Sequence, residues 1–256
     1  MAESSARTLA DQFRAWSDEE LARLLEERPD LAAPAPQDSS QLASRVGTRA
    51  SVLRAVDQLD VFALAVVDAV VALGGQCSLA DLQRHLAADP DAVTDAVDRL
   101  HSLALLWGEP ERLRALSALA EVVGTTVSGL GPSADQLLSG YGPGRVATLA
   151  RDLGLVPTGD RHSDIELVTS RLRDPDCVAE LVAELDPQAR AILDHLERDG
   201  SQGVVESTER SVSRGGSGSP VDQLLARGLV VARDRKHVVV PREVAIGLRE
   251  GRTTRH

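Results

Sequence analysis

The chain is short of the residues that cross-link a fold or carry common chemistry. Only two of its 256 residues are cysteine. Cys77 and Cys177 are too few and too far apart for a disulfide framework or a zinc site, and both are expected to be buried free thiols. Aromatic residues make up 2% of the chain, with one tyrosine, two tryptophans and two phenylalanines. The core must then be built from Ala, Leu and Val, which favours helices joined by short Val-rich strands. Lysine is nearly missing: of 28 basic residues only Lys236 is a lysine. That bias fits a GC-rich genome, since arginine codons are GC-rich. No apolar run approaches a membrane span, and the N-terminus lacks the basic and apolar regions of a secretory signal. A cytoplasmic location, open to association with the nucleoid, is expected, with no membrane partner.

Catalytic motifs are missing as well. The six histidines (85, 101, 162, 195, 237 and 256) show no ligand spacing such as His-x3-His. The glycine-rich run Gly140–Gly144 is not followed by Gly-Lys-Ser/Thr, as a phosphate-cradling loop requires. There is no Gly-x-Ser-x-Gly elbow. The pairs Glu19-Glu20 and Glu26-Glu27 read as solvated helix surface. The reading is therefore of a protein that is not an enzyme, with no cofactor, no metal and no small-molecule substrate.

Hydrophobic content is 43%, which sets the chain apart from disordered sequences, and its length suffices for two or more small domains. The net charge of −11 opposes the sign usual for nucleic-acid binders. From Ser219 to His256, however, eight basic residues face four acids, a net of +4, so residues 1–218 carry −15. Any contact with phosphate should come from the C-terminal end.

The strongest pattern is a repeat. Leu100–Leu116 lies on Leu224–Val240 without a gap, 124 positions apart. Each copy reads as the end of a helix, a strand, a charged tip, a returning strand and a new helix, which is the sequence form of a winged helix. The expected fold is mainly α with short β-hairpins (α+β), with tandem winged-helix domains joined by a helical segment. The divisions are 1–59, an N-terminal helical region; 60–123, the first winged helix; 124–184, a helical linker; and 185–252, a degenerate second winged helix.

Local signals place the elements. A first helix reads from Ser5 to Trp16, and Ser17 with Glu20 forms a capping box for a second that carries Leu21, Leu24 and Leu25 on one stripe. Pro29 stops it. Further helices read over 39–46 and 48–59, the latter with Val52, Leu53 and Val56 inward. In the first module, Asp60, Ser78 and Asp89 cap three helices, and Pro90 takes the first position of the third. Residues 103–107 read as a strand, 108–110 as the tip and 111–116 as the return. In the second, Leu185-Asp186-Pro187 opens a helix to Arg198, and Gly200–Gly218 is so rich in Gly and Ser that the middle helix is read as replaced by a loop. A helix over 220–227, strands over 229–232 and 238–240, and a last helix from Pro241 to about Glu250 complete it.

Two surfaces stand out. The third helix of a winged helix commonly enters the major groove. Here its outward face carries Asp91, Asp95, Asp98 and Ser102, with Val93, Ala96, Val97 and Leu100 inward. Such a carboxylate stripe repels phosphates and offers few donors to base edges. The first module therefore reads as a structural unit or as an acidic face for a protein partner with a basic surface. The second tip, Arg233-Asp-Arg-Lys-His237, is basic, and with Arg242 it supplies the candidate nucleic-acid contacts Arg233, Arg235, Lys236, His237 and Arg242. Such contacts would be weak and salt-dependent. The alternative reading of the tip is an ordinary solvated turn.

Residues 145–172 resemble the SAP-type helix–extended–helix motif of chromatin and DNA-repair proteins, through Val146, Leu149, Leu153, Gly154-Leu155, Gly159, Ile165, Leu167 and Leu172. The lysine usual after the second glycine is Asp160 here, followed by Arg161; a plain helical hairpin is the alternative. More broadly, Leu21–Leu31, Leu42–Val52, Ser219–Val230 and Val238–Ala245 resemble the N-terminal half of helicase-associated proteins of high-GC bacteria, which are related to the N-terminal domain of XPB-type DNA helicases. This resemblance implies association with repair or transcription machinery, without ATPase activity, since no Walker A motif is present. Proteins of that kind run several hundred residues further, so the chain is expected to be the N-terminal part of a longer protein or to end in a frayed tail.

Overall fold

The structure, a computed structural model, describes residues 7–122, 128–208, 214 and 218–254. They form two compact units. One comprises the residues up to 128 together with the tail from 253, and the other comprises residues 129–252. Each is mainly helical with one small three-stranded antiparallel sheet. No helix among the described residues is long and apolar enough to cross a membrane.

The first unit contains α1 (Leu9–Ala15), α2 (Asp18–Glu27), a 3-10 turn (Pro29–Leu31), α3 (Ser39–Val46), α4 (Arg49–Val56), α5 (Val61–Ala72), β1 (Gln76–Cys77), α6 (Leu79–His85), α7 (Pro90–Ser102), β2 (Leu106–Trp107), β3 (Leu113–Ala115) and α8 (Leu119–Val122). Thr8, Ser17 and Ser78 close full capping boxes, while Asp38, Asp60 and Asp89 accept N–H bonds at the starts of α3, α5 and α7. The expected start of the first helix at Ser5 lies outside the described residues. Strand β3 is central, pairing Gln76 with Arg114 on one side and Leu106 with Ala115 on the other.

One core serves this whole unit. Phe13, Leu24, Leu31 and Val46 from the N-terminal helices join Val66, Val70, Leu82, Val93, Leu100 and Leu113 in one buried cluster. Residues of α1–α4 therefore share one core with α5, α6, α7 and β3. Leu53, expected inward, is 47% exposed and faces away from this core, whereas Val52 is buried.

Two polar features tie the unit together. Arg28 is fully buried, and its guanidinium donates to the carbonyls of Leu103 (2.9 Å) and Val46 (3.3 Å) and to Ser51 Oγ (2.6 Å). Ser51 in turn donates to Asp30. At the other end of the sequence, Thr253 is fully buried and its N–H donates to the carbonyl of His85 (2.8 Å), while the N–H of Ala87 donates to Thr254 Oγ1 (3.0 Å).

The second unit contains α9 (Ala134–Leu138), α10 (Pro143–Asp152), α11 (Arg161–Leu172), α12 (Pro175–Ala183), α13 (Pro187–Arg198), β4 (Gln202–Val204), α14 (Pro220–Ala226), β5 (Val231–Ala232), β6 (His237–Val239) and α15 (Arg242–Leu248). Strand β6 is central, with Gly203 opposite Val238 on one side and Val231 opposite Val239 on the other. The helices of 134–183 pack on this module: α12 lies on α15 so closely that a Cβ at Gly247 would meet Val178 at 2.8 Å.

Part of each unit repeats one order of elements. Helix α13 matches α5 end to end at an offset of 126, and β6 matches β3 at 124. Both sheets place the third strand between the first two, in the orders β1-β3-β2 and β4-β6-β5. The helix ends agree to the hydrogen bond: Leu105 N–H donates to Leu100 O (2.9 Å), and Leu229 N–H to Leu224 O (3.0 Å). Gly75 N–H donates to Val70 O (2.9 Å), and Ser201 N–H to Leu196 O (2.8 Å).

Several strand expectations need correction. Residues 103–105 are not strand: Ala104 turns left-handed (φ 53°) to end α7, so β2 is only Leu106–Trp107. Gly228 (φ 66°) does the same after α14, which shortens the expected strand over 229–232 to β5. Strands β1 and β4 are additions that the sequence pattern does not announce. Between β4 and α14 the described residues hold no helix, and the rest of that Gly/Ser-rich stretch, 209–213 and 215–217, lies outside the described residues.

Candidate functional site

The acidic face of the first unit is built by α7. Val93, Ala96, Val97 and Leu100 are buried, and Asp91, Asp95 and Asp98 stand exposed at the i, i+4 and i+7 positions on the other side. The arginine of this helix does not neutralise them. Arg99 reaches across to Glu27 of α2 at 2.6 Å. The first tip, residues 108–112, is held by the Arg112 N–H to Glu109 O bond (2.8 Å) and by the Leu79 N–H donated to Pro110 O (2.7 Å). Gly108 (φ 98°) is required here, since a Cβ would lie 2.4 Å from the Arg112 carbonyl oxygen.

The second tip is braced from within and from behind. Arg233 N–H donates to His237 O (2.9 Å) across the hairpin. The Asp234 carboxylate accepts the N–H groups of Lys236 and His237 (both 2.9 Å) and meets the His237 ring Nδ1 at 2.8 Å. These bonds, the Lys236 N–H foremost, hold Asp234 below the usual carboxylate range. Behind the tip, Val205 N–H donates to Lys236 O (2.7 Å), Thr208 N–H to Arg235 O (3.0 Å) and Thr208 Oγ1 to Asp234 O (2.6 Å). The tip carbonyls are thus turned inward, and the side chains of Arg233, Arg235, Lys236 and His237 are exposed together.

Arg242 is not with them. It opens α15 beyond the far end of β6, with its N–H bonded to Pro132 O (2.9 Å), and it is half-buried. The helix preceding the second hairpin, α14, adds no cation. Arg227 at its end is buried against Glu184 (3.4 Å), and the Gln223 side chain is bonded to Asp186.

Residues that sequence reasoning missed stand behind this tip. Tyr141, the sole tyrosine, is buried and its hydroxyl accepts the Ala232 N–H of β5 (2.9 Å). Arg145 lies over the Tyr141 ring at 3.9 Å and donates to Thr208 O (3.3 Å), linking α10 to the support of the tip. Nothing local in the sequence signals the two hydrogen bonds, because their partners lie 63 and 91 positions away.

The α10–link–α11 segment is a packed helical pair. Gly154 (φ 75°) and Gly159 (φ 87°) shape the link, and Thr158 is tied to buried Asp164 by its N–H (2.6 Å) and hydroxyl (2.9 Å). Asp160, at the position of the motif's usual lysine, caps α11 by accepting Ser163 N–H (2.9 Å). Arg161 donates to the carbonyls of Tyr141 (3.0 Å) and Ser139.

Among the described residues no group of three or more His, Cys, Asp or Glu is arranged to hold a metal ion. Burial pushes the Cys77 thiol up to about 11, so it is not a thiolate at neutral pH. Compared with known proteins, the chain matches no family model, no curated protein and no solved structure.

Proposed function

We propose that the chain is a non-catalytic accessory protein built on two winged-helix modules, which touches DNA phosphates weakly through the second tip. The observation that carries this reading is the braced tip: Thr208 and Asp234 fix its backbone while Arg233, Arg235, Lys236 and His237 project from it. The three cations among them, Arg233, Arg235 and Lys236, suit a phosphate backbone, and α14 offers no cation for base edges, so contact would be independent of sequence. The resemblance to helicase-associated proteins supports a place beside repair or transcription machinery.

The test is binding to labelled duplex and single-stranded DNA over a salt series. The log–log slope should be about −3 for three cations, and the triple variant Arg233→Glu, Arg235→Glu, Lys236→Glu should abolish binding. Absence of binding to either form at low salt would overturn the proposal.

A second reading is favoured by one specific observation. Because Arg99 is engaged by Glu27, the stripe Asp91, Asp95 and Asp98 keeps its negative field. On this reading the first unit is a scaffold for a protein partner with a basic surface, and changing the three aspartates to lysine removes that partner.

A further inference from the structure

Next to the acidic face, and sharing its Asp98, the first unit holds a cavity of about 290 Å³. It is lined by Trp16, Glu20, Arg23, Asp98, His101 and Ser102, at the junction of α1, α2 and the last turn of α7. Trp16 forms an aromatic wall that is fixed from two sides: Phe13 packs edge-on against it (5.0 Å, 67°), and the His101 ring lies 5.5 Å away.

The charges around this wall do not cancel. Glu20 accepts the Ser17 N–H at 2.7 Å, which holds its carboxyl below the usual range and keeps it ionised. Burial lowers the pKa of His101, even though Asp98, Glu20 and Glu109 each pull it upward. Burial thus biases the His101 ring toward its neutral form beside the Glu20 and Asp98 carboxylates. Among the described residues, Arg23 on the exposed side of α2 is the arginine of the lining, and its charge also acts on Glu20.

We infer that this cavity receives one arginine side chain from a basic partner protein; the inference rests on the scaffold reading of the first unit. Its volume falls at the bottom of the range of small-molecule sites and suits a single side chain. A guanidinium is flat, stacks on an indole face and pairs with carboxylates in a planar fork, so Trp16, Glu20 and Asp98 together match it better than they match a lysine ammonium. A nucleobase could stack on Trp16, but its phosphates would meet the carboxylates.

The test uses the full chain carrying Trp107→Phe, which leaves Trp16 as the sole indole. A labelled nona-arginine peptide is titrated at low salt while peptide anisotropy and Trp16 emission are read together. Both signals should saturate at one midpoint, nona-lysine should bind about threefold more weakly, and Asp98→Arg should weaken nona-arginine about tenfold by placing a guanidinium in the cavity. If the peptide binds and is lost on changing Asp91 and Asp95 to lysine, yet Trp16 emission stays still and Asp98→Arg acts no more strongly than Asp91→Arg, the cavity assignment fails and the scaffold reading survives. No anisotropy change at all would sink both. Trp16 quenching by oligothymidylate in place of the peptide would overturn the assignment in favour of a nucleic acid.

Discussion

Ala104 and Gly228 occupy the same place in the two halves of the chain, 124 positions apart, each turning left-handed to end a helix with φ of 53° and 66°. An alanine in this conformation carries a steric cost that glycine escapes. The first unit bears that cost with its Ala104 methyl fully buried. At Gly228 a Cβ would meet only Leu149 and Leu172, at an ordinary 3.5 Å. Gly228→Ala should therefore fold normally and lose about 1 kcal/mol in denaturant unfolding. A loss several times larger would mean that the two helix ends are not equivalent.

Arg28 should be the most sensitive polar position of the first unit. Burial lowers its pKa, and the Asp30 charge, which reaches it through Ser51, opposes that. Arg28→Ala leaves the carbonyls of Leu103 and Val46 without this donor, and leaves Asp30 with the more distant Arg54 (4.0 Å) as its counter-charge. The expected loss is roughly 3–5 kcal/mol in urea unfolding, a large share of the stability of a small domain. Arg28→Lys should recover less than half, because one ammonium cannot span three acceptors.

Tyr141→Phe isolates a single bond. The ring stays under Arg145, while the Ala232 N–H of β5 loses its acceptor. Leaving that buried donor unsatisfied should cost about 1–3 kcal/mol. Hydrogen exchange should speed at Ala232 before it does at Val238, which lies in the central strand. Equal protection in variant and wild type would deny the Tyr141 bond any weight.

Glu243 gives the second unit a pH dependence of its own. Its carboxylate accepts the Ala134 N–H at 2.8 Å, yet burial raises its pKa above the ordinary 4.5. Between 4.5 and the raised value the folded chain binds more protons than the unfolded one. Stability from this group is then greatest below 4.5, falls as pH rises through that window, and levels above it. Glu243→Gln keeps an acceptor for Ala134 without a charge. The variant should gain on the wild type as pH rises from 4.5, and be at least as stable at about pH 7, in melts at a series of pH values.

Features whose cause is local were legible in the sequence. Ser17, Asp60, Ser78, Asp89 and Asp186 mark helix starts because a cap bonds within three residues of itself. The outward aspartates of α7 follow from helical period alone. Strands β1 and β4 were not legible, because two or three residues hold no alternation and exist only through a distant partner in β3 or β6. Arg28 precedes Pro29 and reads as a helix end; its burial is decided by Val46, Ser51 and Leu103. The cavity beside Trp16 depends on His101, whose pairing with that indole no short-range pattern announces.

The docking of Thr253 and Thr254 on the end of α6 makes residues 129–252 an insertion within the first unit, with a stretch of that unit's chain at each of its ends. Sequence distance then misleads about what any modification of the tail will do. A label at Thr254 reports on residues 85–87, 167 positions earlier, and a change at Thr253 or Thr254 acts on the bonds of His85 and Ala87 rather than on the residues beside it in sequence.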